Sequence, residues 1–246
     1  MAVLELRSVN KQFGALEVLS QIDLDVNEQE ITSVIGPNGA GKTTLFNVIT
    51  GYFPPDSGKV VFDQRDITGR KPHQIAMEGL ARSFQITNIF PQLTVYENLA
   101  LAAQSRSTKR FSILARASGL QKVDERIQEI LSQIGLTGWM SQSAGALSHG
   151  DQRHLEIGMT LATNPRLLML DEPTSGMSPA ESYATMDLIN HLRTEVTIVL
   201  IEHDMDLVMH LSDRIVVLDS GRKIAEGPPK MIADNEEVRR VYLGEA

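Results

Sequence analysis

Gly36-Pro37-Asn38-Gly39-Ala40-Gly41-Lys42-Thr43-Thr44 decides how this chain is read. The run satisfies G-x-x-x-x-G-K-[ST]. Its glycines keep side chains away so that successive backbone N–H groups can wrap phosphate oxygens, Lys42 adds a point charge, and the Thr43 hydroxyl can reach a magnesium ion. Asn38, Gly39, Ala40, Gly41, Lys42, Thr43 and Thr44 are therefore the candidate phosphate-binding set. The strand-like run Ile31-Thr32-Ser33-Val34-Ile35 precedes the loop, and Leu45-Phe46-Asn47-Val48-Ile49 continues it as a helix. That order puts an anion at a helix N-terminus, where unpaired N–H groups and the helix dipole both favour negative charge. The expected ligand is a nucleoside triphosphate.

Working outward, residues 3–13 and 17–26 alternate apolar with polar side chains, the period of strands, and the first reads as an edge strand with Val3, Leu4, Leu6 and Val9 turned inward. Tyr52 to Gly58 is turn chemistry, and Lys59–Phe62 a further short strand. Residues 94–104 and 120–134 have helical spacing, as in Val123, Ile127, Ile130, Leu131 and Ile134. Beyond Arg166 the apolar runs Leu167–Leu170, Ile198–Ile201 and Ile215–Leu218 alternate with helical stretches, the pattern of a parallel sheet buried on both faces. A split nucleotide-binding core with a helical insertion follows, and Glu236–Leu243 reads as a surface helix.

Across the 246 residues the net charge is -8, which argues against a nonspecific grip on nucleic acid. The chain has no cysteine, which rules out disulfides and thiolate metal sites. The N-terminus lacks a signal-type apolar core, and no run of 18 apolar residues occurs, so a membrane role must come through a partner.

Two further stretches carry chemistry. Leu167-Leu168-Met169-Leu170-Asp171-Glu172 is a buried strand ending in two acids, and open α/β sheets bind ligands at the carboxyl ends of their strands. Asp171 is the candidate for the magnesium side and Glu172 for the attacking water. Pro173 stops the strand, and Ser178-Pro179-Ala180-Glu181 is a capped helix start. Leu147-Ser148-His149-Gly150-Asp151-Gln152 has two readings: a capping box, or a set of donors (Ser148 hydroxyl, Gly150 N–H, helix dipole) aimed at the γ-phosphate of a partner copy's nucleotide.

With these motifs in order, the chain resembles an ATP-binding cassette (ABC) ATPase over essentially its full length. The series is the phosphate loop 36–44, Gln85 after Gly79–Phe84, the signature 147–152, the acids 171–172, and His203 after a strand. The resemblance implies one nucleotide-binding domain on a P-loop NTPase (RecA-like) α/β core. Residues 1–87 and 164–230 would form the core with an antiparallel β subdomain, residues 88–163 an inserted α-helical subdomain, and residues 231–246 a C-terminal helix. It implies ATP and Mg²⁺ as cofactors and a head-to-tail pair of cassettes sandwiching two ATP. Carried over by position, Phe13 stacks on adenine, Gln85 binds Mg²⁺ beside Thr43 and Asp171, Glu172 is the general base, and His203 contacts the γ-phosphate. Two positions depart from the usual pattern: His149-Gly150-Asp151 stands where Gly-Gly-Gln is commonest, and Ser178 where an acid is often found.

FNVITG (46–51), ARSFQITNIFP (81–91) with LTVYENL after it, and VRRVYLGEA at the end resemble ATPase subunits of branched-chain amino acid importers. Partners implied are a second ATPase subunit, transmembrane permease subunits and, indirectly, a solute-binding protein, at the cytoplasmic face of the membrane. Lipopolysaccharide-export subunits share the length and tail, so lipid export is the alternative. ABC proteins acting on DNA or ribosomes usually carry two cassettes, coiled coils or basic extensions, which are not seen here. Between Glu97 and Asp124 no acid occurs while Arg106, Lys109, Arg110, Arg116 and Lys122 do, so this segment is expected to face anionic headgroups or the membrane subunit.

Overall fold

The structure, a computed structural model, describes residues 1–83, 89–105 and 116–243. It begins with two long strands, β1 (Ala2–Phe13) and β2 (Leu16–Asn27), then β3 (Ile31–Ile35) and helix α1 (Lys42–Ile49). β4 (Ser57–Phe62), β5 (Arg65–Asp66), α2 (Pro72–Glu78) and β6 (Leu80–Arg82) follow. Then come α3 (Val95–Ser105), α4 (Arg116–Gln133) and α5 (His149–Ala162). The last part alternates β7 (Leu167–Asp171), α6 (Pro179–Leu192), β8 (Thr197–Ile201), α7 (Met205–Leu211) and β9 (Arg214–Asp219). β10 (Arg222–Gly227), α8 (Pro229–Ala233) and α9 (Glu236–Leu243) close the chain.

The strands form two sheets, β2-β1-β4-β5 and β10-β9-β3-β8-β7-β6. The first is antiparallel, and β1 is an inner strand, with β2 on one side and β4 on the other. This corrects the expectation of an edge. Alternation reports which face of a strand is buried and says nothing about whether both hydrogen-bonding sides are occupied.

In the second sheet β9, β3, β8, β7 and β6 run parallel, and only β10 is antiparallel. β3, β7 and β8 are buried at every residue, as their continuous apolar runs require. The two faces feed different cores. Met169, Val199 and Ile201 join Leu45, Phe46, Phe62 and the antiparallel sheet, whereas Leu168, Leu170, Ile198 and Leu200 pack with Leu99, Ile127, Ile130 and Leu155 of α3, α4 and α5. Successive side chains of one strand alternate between the two, because a strand has period two.

Helix starts agree with their local chemistry. Ser178 caps α6, its side chain accepting from the Glu181 N–H while Glu181 reaches back to the Ser178 N–H, with Pro179 at the first position. The basic stretch noted in the sequence falls largely on residues 106–115, outside the described residues, as does Gln85.

Candidate nucleotide site

The parallel register brings the carboxyl ends of β3, β8, β7 and β6 to one edge of the sheet, with Asp171 beside Ile201 and Arg82 beside Met169. The loops leaving those ends carry the residues singled out from the sequence. After β3 the chain turns through Gly36, Gly39 and Gly41, all at positive φ, and Gly41 at φ 99° is the residue on which α1 starts. At Gly41 an added Cβ would meet the Val18 carbonyl oxygen at 2.7 Å, so only glycine fits both the dihedral and the approach to β2. Asn38, Gly39 and Thr43 are exposed, Thr44 is half-buried, and Ala40 is buried beneath the loop.

Lys42 folds back over the turn, its ammonium donating to the Gly36 carbonyl at 2.6 Å and the Pro37 carbonyl at 3.0 Å. Burial lowers its pKa, and the charges of Glu172 and then Asp171 oppose that lowering, so the ammonium lies within electrostatic reach of both acids. Lys42 follows β3 and the two acids stand at the end of β7, with β8 between these strands, so lysine, loop and acids stand at the same edge of the sheet. Asp171 is buried at the end of β7, whereas Glu172, one residue on, is half-buried and left-handed at φ 46°, its N–H donating to the Ile201 carbonyl at 3.0 Å.

His203 follows β8 and is 64% exposed, with Nδ1 3.6 Å from Glu202. The histidine leaves the end of β8 and sits beside an acid. Glu202 is the buried member of the pair. Its Oε1 accepts from the Thr174 N–H at 3.1 Å and hydroxyl at 2.5 Å, and its Oε2 from the His203 N–H at 3.0 Å. One carboxylate therefore ties the loop after Glu172 to the loop bearing His203.

Phe13 ends β1 with 43% of its surface exposed, its ring edge-on to Phe53 at 5.2 Å and beneath the Lys11 ammonium at 5.3 Å. Ser148 caps α5, accepting from the Asp151 N–H at 3.1 Å and donating to Asp151 Oδ2 at 2.8 Å. Its capping role is present, and its side chain stays exposed. A Cβ on Gly150 would lie 3.1 Å from Glu181 Oε1, so this glycine admits the carboxylate of α6 against the start of α5.

Three contacts were not foreseen. Arg82 binds Asp171 through Nη2 and Oδ2 at 2.7 Å. Arg153 donates to the Asp171 carbonyl at 2.8 Å and pairs with Glu156 at 2.6 Å. Glu202 is the third. The available signal was spacing: Arg153 and Glu156 stand three apart on α5, close enough on a helix to pair.

Chemically, this edge offers glycine-lined N–H donors, a cation, a half-buried carboxylate, and oxygen donors on Thr43 and Asp171 of the kind Mg²⁺ prefers. At the crest, a Cβ on Gly39 would meet no atom within 4 Å, which leaves the loop open to a ligand.

Known proteins resemble the chain throughout. The ABC transporter family profile matches residues 19–175, and a profile described as branched-chain amino acid ATP-binding cassette transporter matches residues 222–246. The high-affinity branched-chain amino acid transport ATP-binding protein BraF of Pseudomonas aeruginosa is 42% identical, covering 99% of this chain and 98% of its own. Among solved structures, the ADP conformation of MJ1267, an ATP-binding cassette of an ABC transporter, superposes with a TM-score of 0.86 at 31% identity, covering 100% of both chains. The dimeric structure of MJ0796, a bacterial ABC transporter cassette, does so with 0.76 at 25% identity, over 92% of this chain and 98% of that one. The fold, the loop 36–44 and these likenesses together make the chain a member of the ABC transporter family, as one of its ATP-binding cassettes.

Proposed function

We propose that this chain is the ATP-hydrolysing motor subunit of an importer for branched-chain amino acids, bound peripherally to the cytoplasmic side of its permease. The observation that carries the hydrolytic reading is the convergence of Lys42, Asp171 and Glu172 at the strand ends beside a glycine-lined turn. The solute rests on the names of full-length relatives and on the match at residues 222–246, and these favour amino-acid import over lipid export. No helix among the described residues is long and apolar enough to cross a membrane, and in this reading the permease is a separate subunit.

In this reading the chain is a single nucleotide-binding domain, with core, helical insertion and C-terminal helices divided as the sequence suggests. Phe13 offers its exposed ring to adenine, and the N–H groups of residues 38–44 wrap the phosphates. Lys42 leaves the Gly36 and Pro37 carbonyls for the β/γ-phosphates. Mg²⁺, held by Thr43, Asp171 and Gln85, supplies charge neutralisation on the phosphates. Glu172 takes the proton of the attacking water, and His203 holds the γ-phosphate. A second cassette closes the site by bringing Ser148 and Gly150 to that phosphate, so each nucleotide is held by two chains.

Closure must be felt by the permease. A mainly apolar groove of about 860 Å³, whose lining includes Tyr52, Ile75, Met77, Leu80, Ala102 and Met159 together with Arg82 and Glu156, runs between α2, β6, α3 and α5, and suits a helix of that subunit.

The test is Glu172→Gln in the purified chain. Turnover is expected to fall at least about a hundredfold, the scale of a general-base contribution, while ATP binding persists. Undiminished hydrolysis would overturn the assignment.

A further inference from the structure

Asp171 is gripped twice. Arg153 of α5 holds its carbonyl oxygen, and Arg82, the last residue of β6, holds its carboxylate. The second contact is the unusual one, because it spends the charge of an acid that the reaction needs. Arg82 and Asp171 are both buried, with side-chain exposures of 8% and 4%. A buried pair of this kind is weak support for stability, because desolvating both charges offsets their attraction, and what it does supply is a fixed geometry.

The guanidinium supplies that geometry. While Nη2 holds Asp171 Oδ2 at 2.7 Å, Nη1 donates to Asn47 Oδ1 at 2.7 Å and approaches Thr50 Oγ1 at 3.4 Å, and the group lies 5.6 Å from the Phe46 ring centroid. Asn47, Thr50 and Phe46 all belong to α1 or its cap, the helix that begins at the phosphate loop. The planar fork thus spans from the acid at the end of β7 to the helix that carries Lys42 and Thr43. A lysine could supply the charge but not the two-armed bridge.

We propose that Arg82 is a positioning residue for the cation side of the nucleotide site: it fixes the Asp171 carboxylate relative to α1, so that this acid and the Thr43 hydroxyl meet the same ion. The inference rests on the reading of Asp171 given above. Arg82 touches neither nucleotide nor water in this scheme, and acts through Asp171.

The experiment measures nucleotide binding to the full chain in EDTA, and Mn²⁺ binding to the nucleotide-loaded chain by electron paramagnetic resonance. Arg82→Lys keeps the charge and loses the bridge. It should leave affinity in EDTA unchanged and weaken Mn²⁺ binding about tenfold or more, the usual effect of losing an outer partner of a metal ligand. Asn47→Ala, which keeps the ion pair and removes its anchor, should shift Mn²⁺ binding in the same direction by less. Unchanged Mn²⁺ binding in both variants, or equal losses with and without metal, would overturn the proposal. Asp171→Asn tells the two failures apart. If it leaves Mn²⁺ binding intact, the reading of Asp171 falls and this inference with it; if it alone weakens binding, only the role of Arg82 falls.

Discussion

At the scale of the residue, Glu172 combines a left-handed φ of 46° with a place directly after a fully buried strand. A non-glycine residue held there costs about 1–3 kcal/mol, a cost that persists only where the surroundings fix the conformation. Those surroundings include Glu202, whose carboxylate holds Thr174 on one side and the His203 N–H on the other. Removing it leaves buried donors without an acceptor, so Glu202→Ala should lower stability in denaturant titration by about 1–3 kcal/mol and slow turnover with it. A change below about half a kcal/mol would show that the contact is incidental. The motif residues Lys42, Asp171 and Glu172 were legible because their chemistry is written locally. Glu202 and Arg82 were not. Their partners lie 28 and 89 residues away in sequence, and only the strand register brings them together.

At the scale of the element, the packing of α5 on α6 contains a titratable contact. His154 Nε2 lies 3.0 Å from Thr185 Oγ1, and burial lowers the histidine's pKa, against smaller opposing effects from Asp151 and the Ile134 backbone. The folded pKa lies below the unfolded one, near 6.5, so the unfolded chain takes up the proton first as pH falls. The neutral contact therefore contributes fully above about pH 6.5 and is lost as pH drops from there toward the folded value. Melting temperatures between pH 7.5 and 5.5 should fall less steeply in His154→Gln than in the parent chain, and parallel slopes would contradict this. The elements themselves were readable where burial is extreme: the runs at 31–35, 167–170 and 198–201 are strands buried throughout. Neighbour relations were less so, as the inner place of β1 shows.

At the scale of the whole molecule, the proposed function needs two unlike half-sites on each chain. One is the phosphate loop with Lys42 and the acids, and the other is the start of α5, where Asp151 engages the exposed Ser148 and Glu181 lies against the buried Gly150. The departures His149, Asp151 and Ser178 all lie at or beside the start of α5, a stretch the sequence could mark, whereas the partner proposed for it is on another chain. The proposed motor works only if two chains pair around shared nucleotide. Light scattering of the Glu172→Gln chain, 27.1 kDa as a monomer before substitution, tests this directly with saturating ATP and Mg²⁺. A mass that doubles on adding nucleotide, and fails to double when Ser148 is also replaced by a bulky residue, is the predicted result. A mass that stays monomeric in nucleotide, or doubles regardless of Ser148, would contradict it.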